Sequence, residues 1–182
     1  EAQTNANIAL SAAKKMGHGV VRIFEADMRR DTVEMVQMGQ QIRDGLTAGQ
    51  FTPFFQPQVD VHSGRIIGFE ALIRWDSPDH GLVSPAKFIP IAEDTRLIIP
   101  IGQWVLYQAC KEALKWPDHI KINVNVSPEQ LLDPGFTDDV VRVLSKTGLR
   151  PQRLEIEVTE SIFVRDASVA RNALEQVMAL GC

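Results

Sequence analysis

The stretch Phe69-Glu70-Ala71-Leu72-Ile73-Arg74-Trp75 decides the fold, because it places a carboxylate and a guanidinium inside an otherwise apolar strand. Side chains alternate along a strand, so Glu70, Leu72 and Arg74 share one face and the other face is entirely apolar. A buried charge is costly unless a counter-charge or hydrogen-bond donors offset it. An arginine fork on the same face suits an anionic oxygen, such as that of a phosphate. The strand therefore indicates a functional site.

Three other strand-like runs repeat this division into an apolar face and a polar face. The polar rows are Gln56, Gln58 and Asp60 in residues 54–61, Lys121, Asn123, Asn125 and Ser127 in residues 120–127, and Glu155, Glu157 and Thr159 in residues 154–160. Such rows also occur on the wet face of an antiparallel sheet, and the alternation alone leaves that alternative open.

The segments between these runs favour helices, and this decides between the two topologies. Helical pieces are predicted within residues 84–114, 128–146 and 168–180, and the first includes a long amphipathic stretch over residues 101–114. Alternation of strand and helix is typical of parallel crossovers, not of hairpins. Helices then cover the apolar face, and the polar rows point into a barrel interior or a cleft. The sequence therefore predicts an α/β fold with an enclosed polar site.

Five runs, in this order and at these separations, resemble the EAL domain, the cyclic di-GMP phosphodiesterase module of bacterial signalling proteins. They are FFQPQVD (54–60), GFEALIRW (68–75), SPAKFIPIAED (84–94), INVNVSPEQL (122–131) and LEIEVTES (154–161). A lone Glu-Ala-Leu occurs by chance in many helices, whereas five motifs in register are specific. The resemblance covers residues 36–182. It implies the N-terminal half of a TIM-type (β/α)8 barrel, with about four strands encoded.

The preceding stretch has a looser resemblance to another bacterial signalling module. Residues 6–24 look like the last helix and last strand of a GGDEF (diguanylate cyclase) domain, although the cyclase motif is absent and Ser11 stands where that family usually has a tyrosine. No catalytic role is assigned to it. We predict a GGDEF-like remnant over residues 1–28, a linker helix within residues 29–50, and a truncated EAL domain over residues 51–182.

The EAL resemblance implies a metal site built from Glu70, Asn125 and Glu157. These side chains offer hard oxygen ligands with no thiolate and no imidazole, which suits Mg2+ or Mn2+ rather than zinc. The resemblance further implies a two-metal hydrolysis in which water attacks phosphorus in line and opens cyclic di-GMP to linear pGpG.

The same resemblance implies three substrate contacts and one supporting residue. Arg74 would grip a substrate phosphate, and Gln56 and Leu72 would line the pocket. Glu160 would fix a loop that shapes the metal site, and it joins Glu70 and Glu157 in the predicted catalytic set.

The residues themselves leave three choices open. Glu155 lies on the same face as Glu157, and Asn123 on the same face as Asn125. Only the family spelling selects the second member of each pair. Arg74 has the alternative role of a structural ion-pair partner for a nearby acid. The four histidines stand in turn-like contexts, which favours solvated loop residues over metal ligands.

Composition sets the broad class of protein. The chain has 182 residues, 45% hydrophobic and 23% charged, with a net charge of −4 and a pI of about 5.6, which is typical of a soluble globular protein. The acidic balance disfavours a duplex nucleic-acid partner, which needs a clustered basic face. Two cysteines are too few for a disulfide framework and favour the cytoplasm. The longest apolar run, residues 97–106, is too short and interrupted to span a bilayer, so no membrane contact is expected from this segment, although upstream segments could tether the parent protein.

Both ends of the chain look like cuts. It starts without methionine in a helix-like segment, and it stops at Gly181-Cys182. In the EAL family an aspartate pair, a lysine and further ligands would follow, and these residues do not include them. We therefore expect residues 1–182 alone to be marginally stable and inactive, with an open strand edge that favours pairing with another chain. A homodimer through the EAL domain is a further expectation.

Three functions are consistent with the sequence. The leading hypothesis is a metal-dependent cyclic di-GMP phosphodiesterase represented by its N-terminal half. The second is a degenerate EAL domain that senses cyclic di-GMP or docks a partner without hydrolysis. The third is that the upstream cyclase-like module is the active one and the EAL domain regulates it.

Overall fold

The computed structural model of the protein describes residues 1–17, 19–160 and 162–182. His18 and Ser161, the last residue of the fifth EAL-like run, lie outside the described residues. The helices of the described part are Ala2–Met16 (α1), Ala26–Thr47 (α2), Pro85–Asp94 (α3), Ile98–Ala113 (α4), Pro128–Leu131 (α5), Phe136–Thr147 (α6) and Ile162–Ala179 (α7). The strands are Phe51–Val59 (β1), Ile66–Ser77 (β2), Gly81–Val83 (β3), Lys121–Val126 (β4) and Leu154–Val158 (β5), and a short 3-10 turn covers Pro151–Arg153.

One sheet joins the strands in the order β1-β2-β4-β5, with β3 paired to β2. Strands β2, β4 and β5 are parallel and are connected through helices, which confirms the predicted α/β half barrel. Strands β1 and β3 are antiparallel to β2. The β1–β2 connection is a hairpin because residues 60–65 leave no room for a crossover helix. Strand β3 is a fifth strand, and its three residues are too few to show a period.

The core lies between the apolar face of the sheet and helices α3, α4 and α6. Ile122, Val124 and Val126 of β4 are buried there, as the alternation predicted. The Trp75 ring stacks on Phe51 at 5.5 Å between ring centroids. Because the helices cover this face, the polar rows occupy the opposite face of the same sheet.

The N-terminal region differs in part from its prediction. Helix α1 is present, but no strand forms over residues 20–24, where Val21 is 87% and Ile23 is 81% exposed. An extended segment becomes a strand only when a neighbouring strand accepts and donates its backbone hydrogen bonds, and no described residue does so here. Helix α2 begins at Ala26 and crosses the proposed boundary at residue 28, and its C-terminal half buries Met38 and Ile42 in the core. The domain boundaries stay predictions.

Two further features are the absence of a membrane-spanning helix among the described residues and the state of the two cysteines. Within the described ranges, no helix is both long and apolar enough to cross a membrane. Cys110 is buried in α4 and Cys182 is partly buried, and both thiols are free. Burial raises the pKa of the Cys110 thiol to about 12.

Candidate active site

The polar rows of four strands meet in register on one face of the sheet. Gln56 of β1 lies opposite Glu70 of β2, and Glu70 is level with Asn123 of β4. Asn123 is in turn level with Glu155 of β5. The side chains that the sequence separates by up to a hundred residues therefore form a continuous polar surface.

Two of the predicted metal ligands touch directly. The Asn125 Nδ2 donates a hydrogen bond of 2.7 Å to Glu70 Oε1, across the β2–β4 pair. Glu70 is half-buried and Asn125 is exposed. Because the amide nitrogen holds the carboxylate, the Asn125 Oδ1 is left to accept from, or coordinate, another group.

The third predicted ligand, Glu157, belongs to a second hydrogen-bonded group. Asn123 Nδ2 donates to Glu157 Oε1 at 2.7 Å and to Glu155 Oε2 at 3.0 Å. Lys121 Nζ forms an ion pair with the other oxygen of Glu155. Both oxygens of Glu155 are thus engaged, and Asn125 is level with Glu157 on the neighbouring strand.

A cavity of about 490 Å³ opens at the carboxyl ends of β2, β4 and β5. Leu72, Arg74, Asn125 and Glu157 line it, together with side chains of α3, α4 and α5. Three other predicted site residues are not part of this lining: they are Gln56, Glu70 and Glu160. Gln56 and Glu70 share the polar face of β1 and β2, and Asn125 connects Glu70 to the cavity wall.

Arg74 is held at the cavity by contacts other than an ion pair. Its guanidinium lies 5.4 Å from the centroid of the Phe54 ring, and its Nη1 donates to its neighbour's carbonyl, Ile73 O, at 2.9 Å. No salt bridge joins Arg74 to a carboxylate of the described residues. The structural ion-pair alternative for Arg74 is therefore not supported, and its charge is available to an anion.

Glu160 lies just beyond β5 and is exposed. Its backbone carbonyl accepts from Phe163 N at 3.1 Å, so it starts the turn into α7. Its proposed role in shaping the metal site stays a prediction.

Histidines do not contribute to this site in the described part of the chain. His62, His80 and His119 are exposed residues in turns, as predicted. The described residues also contain no group of three or more His, Cys, Asp or Glu side chains that could hold a metal ion. The candidate set is of a different kind, with two carboxylates and one carboxamide.

The helix cap that follows Asn125 was missed in the sequence analysis. Ser127 and Gln130 form a capping box at the start of α5: Gln130 N donates to Ser127 Oγ at 3.4 Å and Ser127 N donates to Gln130 Oε1 at 3.2 Å. Gln130 is only 7% exposed, and Gly102 of α4 makes room for it, since a Cβ there would lie 2.5 Å from Gln130 Cδ. The spelling Ser-Pro-Glu-Gln over residues 127–130 carried the signal.

Comparison with known proteins identifies the family. Residues 39–182 match the EAL domain family. The chain is 40% identical over 185 residues to the bifunctional diguanylate cyclase/cyclic di-GMP phosphodiesterase MucR of Pseudomonas aeruginosa, covering 100% of this chain and 27% of MucR. It is 30% identical over 180 residues to the cyclic di-GMP phosphodiesterase PdeR of Escherichia coli, covering 97% of this chain and 27% of PdeR.

Solved structures agree with this match. The structure of the PaMucR phosphodiesterase in complex with c-di-GMP is 41% identical, with a TM-score of 0.75 over 80% of this chain and 60% of that chain. The EAL enzyme Bd1971, bound to cAMP and cyclic di-GMP, is 33% identical with a TM-score of 0.76, over 83% of this chain and 43% of that one. The chain spans about a quarter of the length of the curated relatives it matches. With five motifs in register, a half barrel that superposes on EAL structures and a family match over most of its length, this chain belongs to the EAL domain family.

Proposed function

We propose that this chain supplies the N-terminal half of the active site of a divalent-metal-dependent cyclic di-GMP phosphodiesterase. The observation that carries the proposal is that Asn125 holds Glu70, is level with Glu157 on the same polar face, and lines the cavity together with Glu157 and Arg74. Cyclic di-GMP is the molecule on which the named relatives act or which their structures hold. Its cleavage to linear pGpG is the proposed reaction.

The donor set fits a hard divalent cation. The proposed ligand atoms are two carboxylates and one carboxamide oxygen, and such hard oxygen donors favour Mg2+ or Mn2+. Glu70 Oε1 is engaged by Asn125, so its other oxygen and the Asn125 Oδ1 are the atoms offered to an ion. When bound, the ions would polarise the phosphate and lower the pKa of an attacking water.

The contacts also favour one member of each ambiguous pair. Glu155 is neutralised by Lys121 and accepts from Asn123, which leaves it no free oxygen for an ion. Glu157 has one oxygen engaged and lines the cavity. Asn125 is exposed to the cavity and Asn123 is buried, so Asn125 is the better ligand.

Substrate binding is assigned to the cavity and its edge. A volume of about 490 Å³ lies in the range usual for small-ligand sites. Arg74, free of carboxylate partners in the described residues, would neutralise a phosphate, and Leu72 would give an apolar contact beside it. Gln56 lies on the edge strand β1, level with Glu70 of β2, and would reach the substrate from the side. Glu160 would order the loop after β5.

Because the chain spans 60% of the PaMucR phosphodiesterase chain, residues 1–182 alone should lack part of the catalytic machinery and be inactive. A GGDEF-like origin for residues 1–28, a homodimer through the EAL domain and a cytoplasmic site of action are also proposed. No duplex nucleic acid is expected as a partner.

The experiment uses two carboxamide variants of neighbouring residues in the full-length gene product that contains this chain. Glu157→Gln should reduce cyclic di-GMP hydrolysis by at least about a hundredfold, because a charged ligand is lost. Glu155→Gln is the matched control, two residues away on the same face, and should keep activity within about threefold. Equal loss in both variants, or none in Glu157→Gln, would refute the assignment. Tight binding of cyclic di-GMP by the wild type without hydrolysis would favour the sensor function.

A further inference from the structure

Asn123 is the most deeply buried polar side chain of the polar face, with 5% exposure. Its amide nitrogen has two hydrogens, and both are used: one toward Glu157 Oε1 at 2.7 Å and one toward Glu155 Oε2 at 3.0 Å. One amide therefore holds two carboxylates of the next strand.

The two carboxylates are held differently. Glu155 has its second oxygen in the ion pair with Lys121, so that it is anchored at both ends. Glu157 has only the bond from Asn123 to fix its orientation among the described residues. Without that bond, the carboxylate of a half-buried glutamate would be free to rotate and to take other rotamers.

The Asn123 oxygen points away from the candidate ion site. Its Oδ1 is buried without a hydrogen-bond partner in the described structure, and a Cβ built on Gly68 would lie 3.6 Å from it. Gly68 is level with Lys121, at the start of β4, whereas the cavity opens where β4 ends. Turning the amide over would aim its oxygen at both carboxylates, so their charge determines its orientation.

We propose that Asn123 is a positioning residue that fixes the Glu157 carboxylate, with Oε1 engaged and Oε2 presented to the divalent ion. This inference rests on the proposed function, because it requires Glu157 to be a ligand. Asn123 thereby differs in role from Asn125, two residues away on the same face: one orients a ligand and the other is a ligand.

The test measures Mn2+ affinity of the full-length gene product by electron paramagnetic resonance, together with its thermal unfolding midpoint. Asn123→Leu keeps the side-chain shape and removes both donors and the orphan acceptor. We expect its Mn2+ dissociation constant to rise about 10- to 100-fold. The unfolding midpoint and, at saturating Mn2+, the KM for cyclic di-GMP should stay near those of the wild type. A purely structural role would lower the unfolding midpoint and leave Mn2+ affinity unchanged.

Two further variants keep the inference falsifiable. Asn123→Ser retains one donor in a smaller side chain, and should raise the dissociation constant in the same direction but less, even if the leucine variant fails to fold. Glu155→Gln still accepts from Asn123 and should bind Mn2+ within about threefold of the wild type; a loss as large as that of the Asn123 variants would overturn the inference. Wild-type Mn2+ affinity in both Asn123 variants would also overturn it. Glu70→Ala, measured in parallel, distinguishes failure of the Asn123 inference from failure of the proposed function. If this variant still hydrolyses cyclic di-GMP, the proposed function itself is wrong.

Discussion

The effect of Gly102→Ala on the free energy of unfolding should depend on the residue at position 130. The substitution should destabilise the protein beside Gln130 and stabilise it beside an alanine. Gly102 lies inside α4, where the buried Gln130 side chain passes against its backbone on the way to the α5 cap. In Gly102→Ala the new Cβ would overlap Gln130 Nε2 and lie 2.5 Å from its Cδ. The glutamine side chain must then shift within its packed surroundings, and its Oε1 no longer accepts from Ser127 N. The bond from Gln130 N to Ser127 Oγ is made by the backbone and stays.

The expected change in the free energy of unfolding is the sum of two destabilising effects and one stabilising effect. Crowding a packed site costs about 1–3 kcal/mol. Loss of the hydrogen bond from Ser127 N to Gln130 Oε1 costs about 1 kcal/mol. Alanine in place of glycine inside a helix returns about 1 kcal/mol. We therefore expect Gly102→Ala to lower the free energy of unfolding by about 2 kcal/mol. In a Gln130→Ala background only the helix gain remains, so the same substitution should raise it by about 1 kcal/mol.

The assay is urea unfolding of four proteins: the wild type, the two single variants and the double variant. Tryptophan fluorescence reports the transition, since Trp75 is fully buried in the core. The expected coupling between Gly102 and Gln130 is about 3 kcal/mol, well above the few tenths seen for independent sites. The same effect of Gly102→Ala in both backgrounds would refute the proposed packing of Gln130 against α4. Because the cap follows Asn125 directly, Gly102→Ala should also reduce hydrolysis by the full-length protein.

Three other outcomes follow from single contacts. Phe54→Leu removes the ring beside Arg74 and should raise the KM for cyclic di-GMP about two- to fivefold with kcat unchanged, whereas Phe54→Tyr should not. Arg153→Met removes the buried guanidinium that donates to Ala113 O at 2.7 Å and Ile120 O at 3.0 Å, and should lower the free energy of unfolding by about 3 kcal/mol in urea. The raised pKa of Cys110, about 12 against an ordinary 9.0, means that the unfolded thiol ionises first as pH rises. Stability should then fall by about 1.4 kcal/mol per pH unit between pH 9 and about pH 12, and a Cys110→Ala protein that loses stability equally over this window would contradict the assignment.

Much of the fold could be predicted from local patterns. The division of β2, β4 and β5 into apolar and polar faces was readable because side-chain alternation is a property of the strand itself. The helices between them were readable from their period, and their length implied parallel strands. The prediction of a strand over residues 20–24 was wrong, because a strand forms only beside a neighbouring strand, and a local pattern does not reveal that neighbour.

The candidate site divides in the same way. The sequence alone determined that Asn123 and Asn125 share one face of their strand and that Glu155 and Glu157 share one face of theirs, and the motif spellings selected the family. Only the tertiary structure decided that Asn125 holds Glu70 while Asn123 holds Glu157, and that Gln130 packs against Gly102. The physical reason is that alternation is set by neighbouring backbone dihedrals, whereas the partner of an amide is set by the register of strands and helices that are distant in the chain.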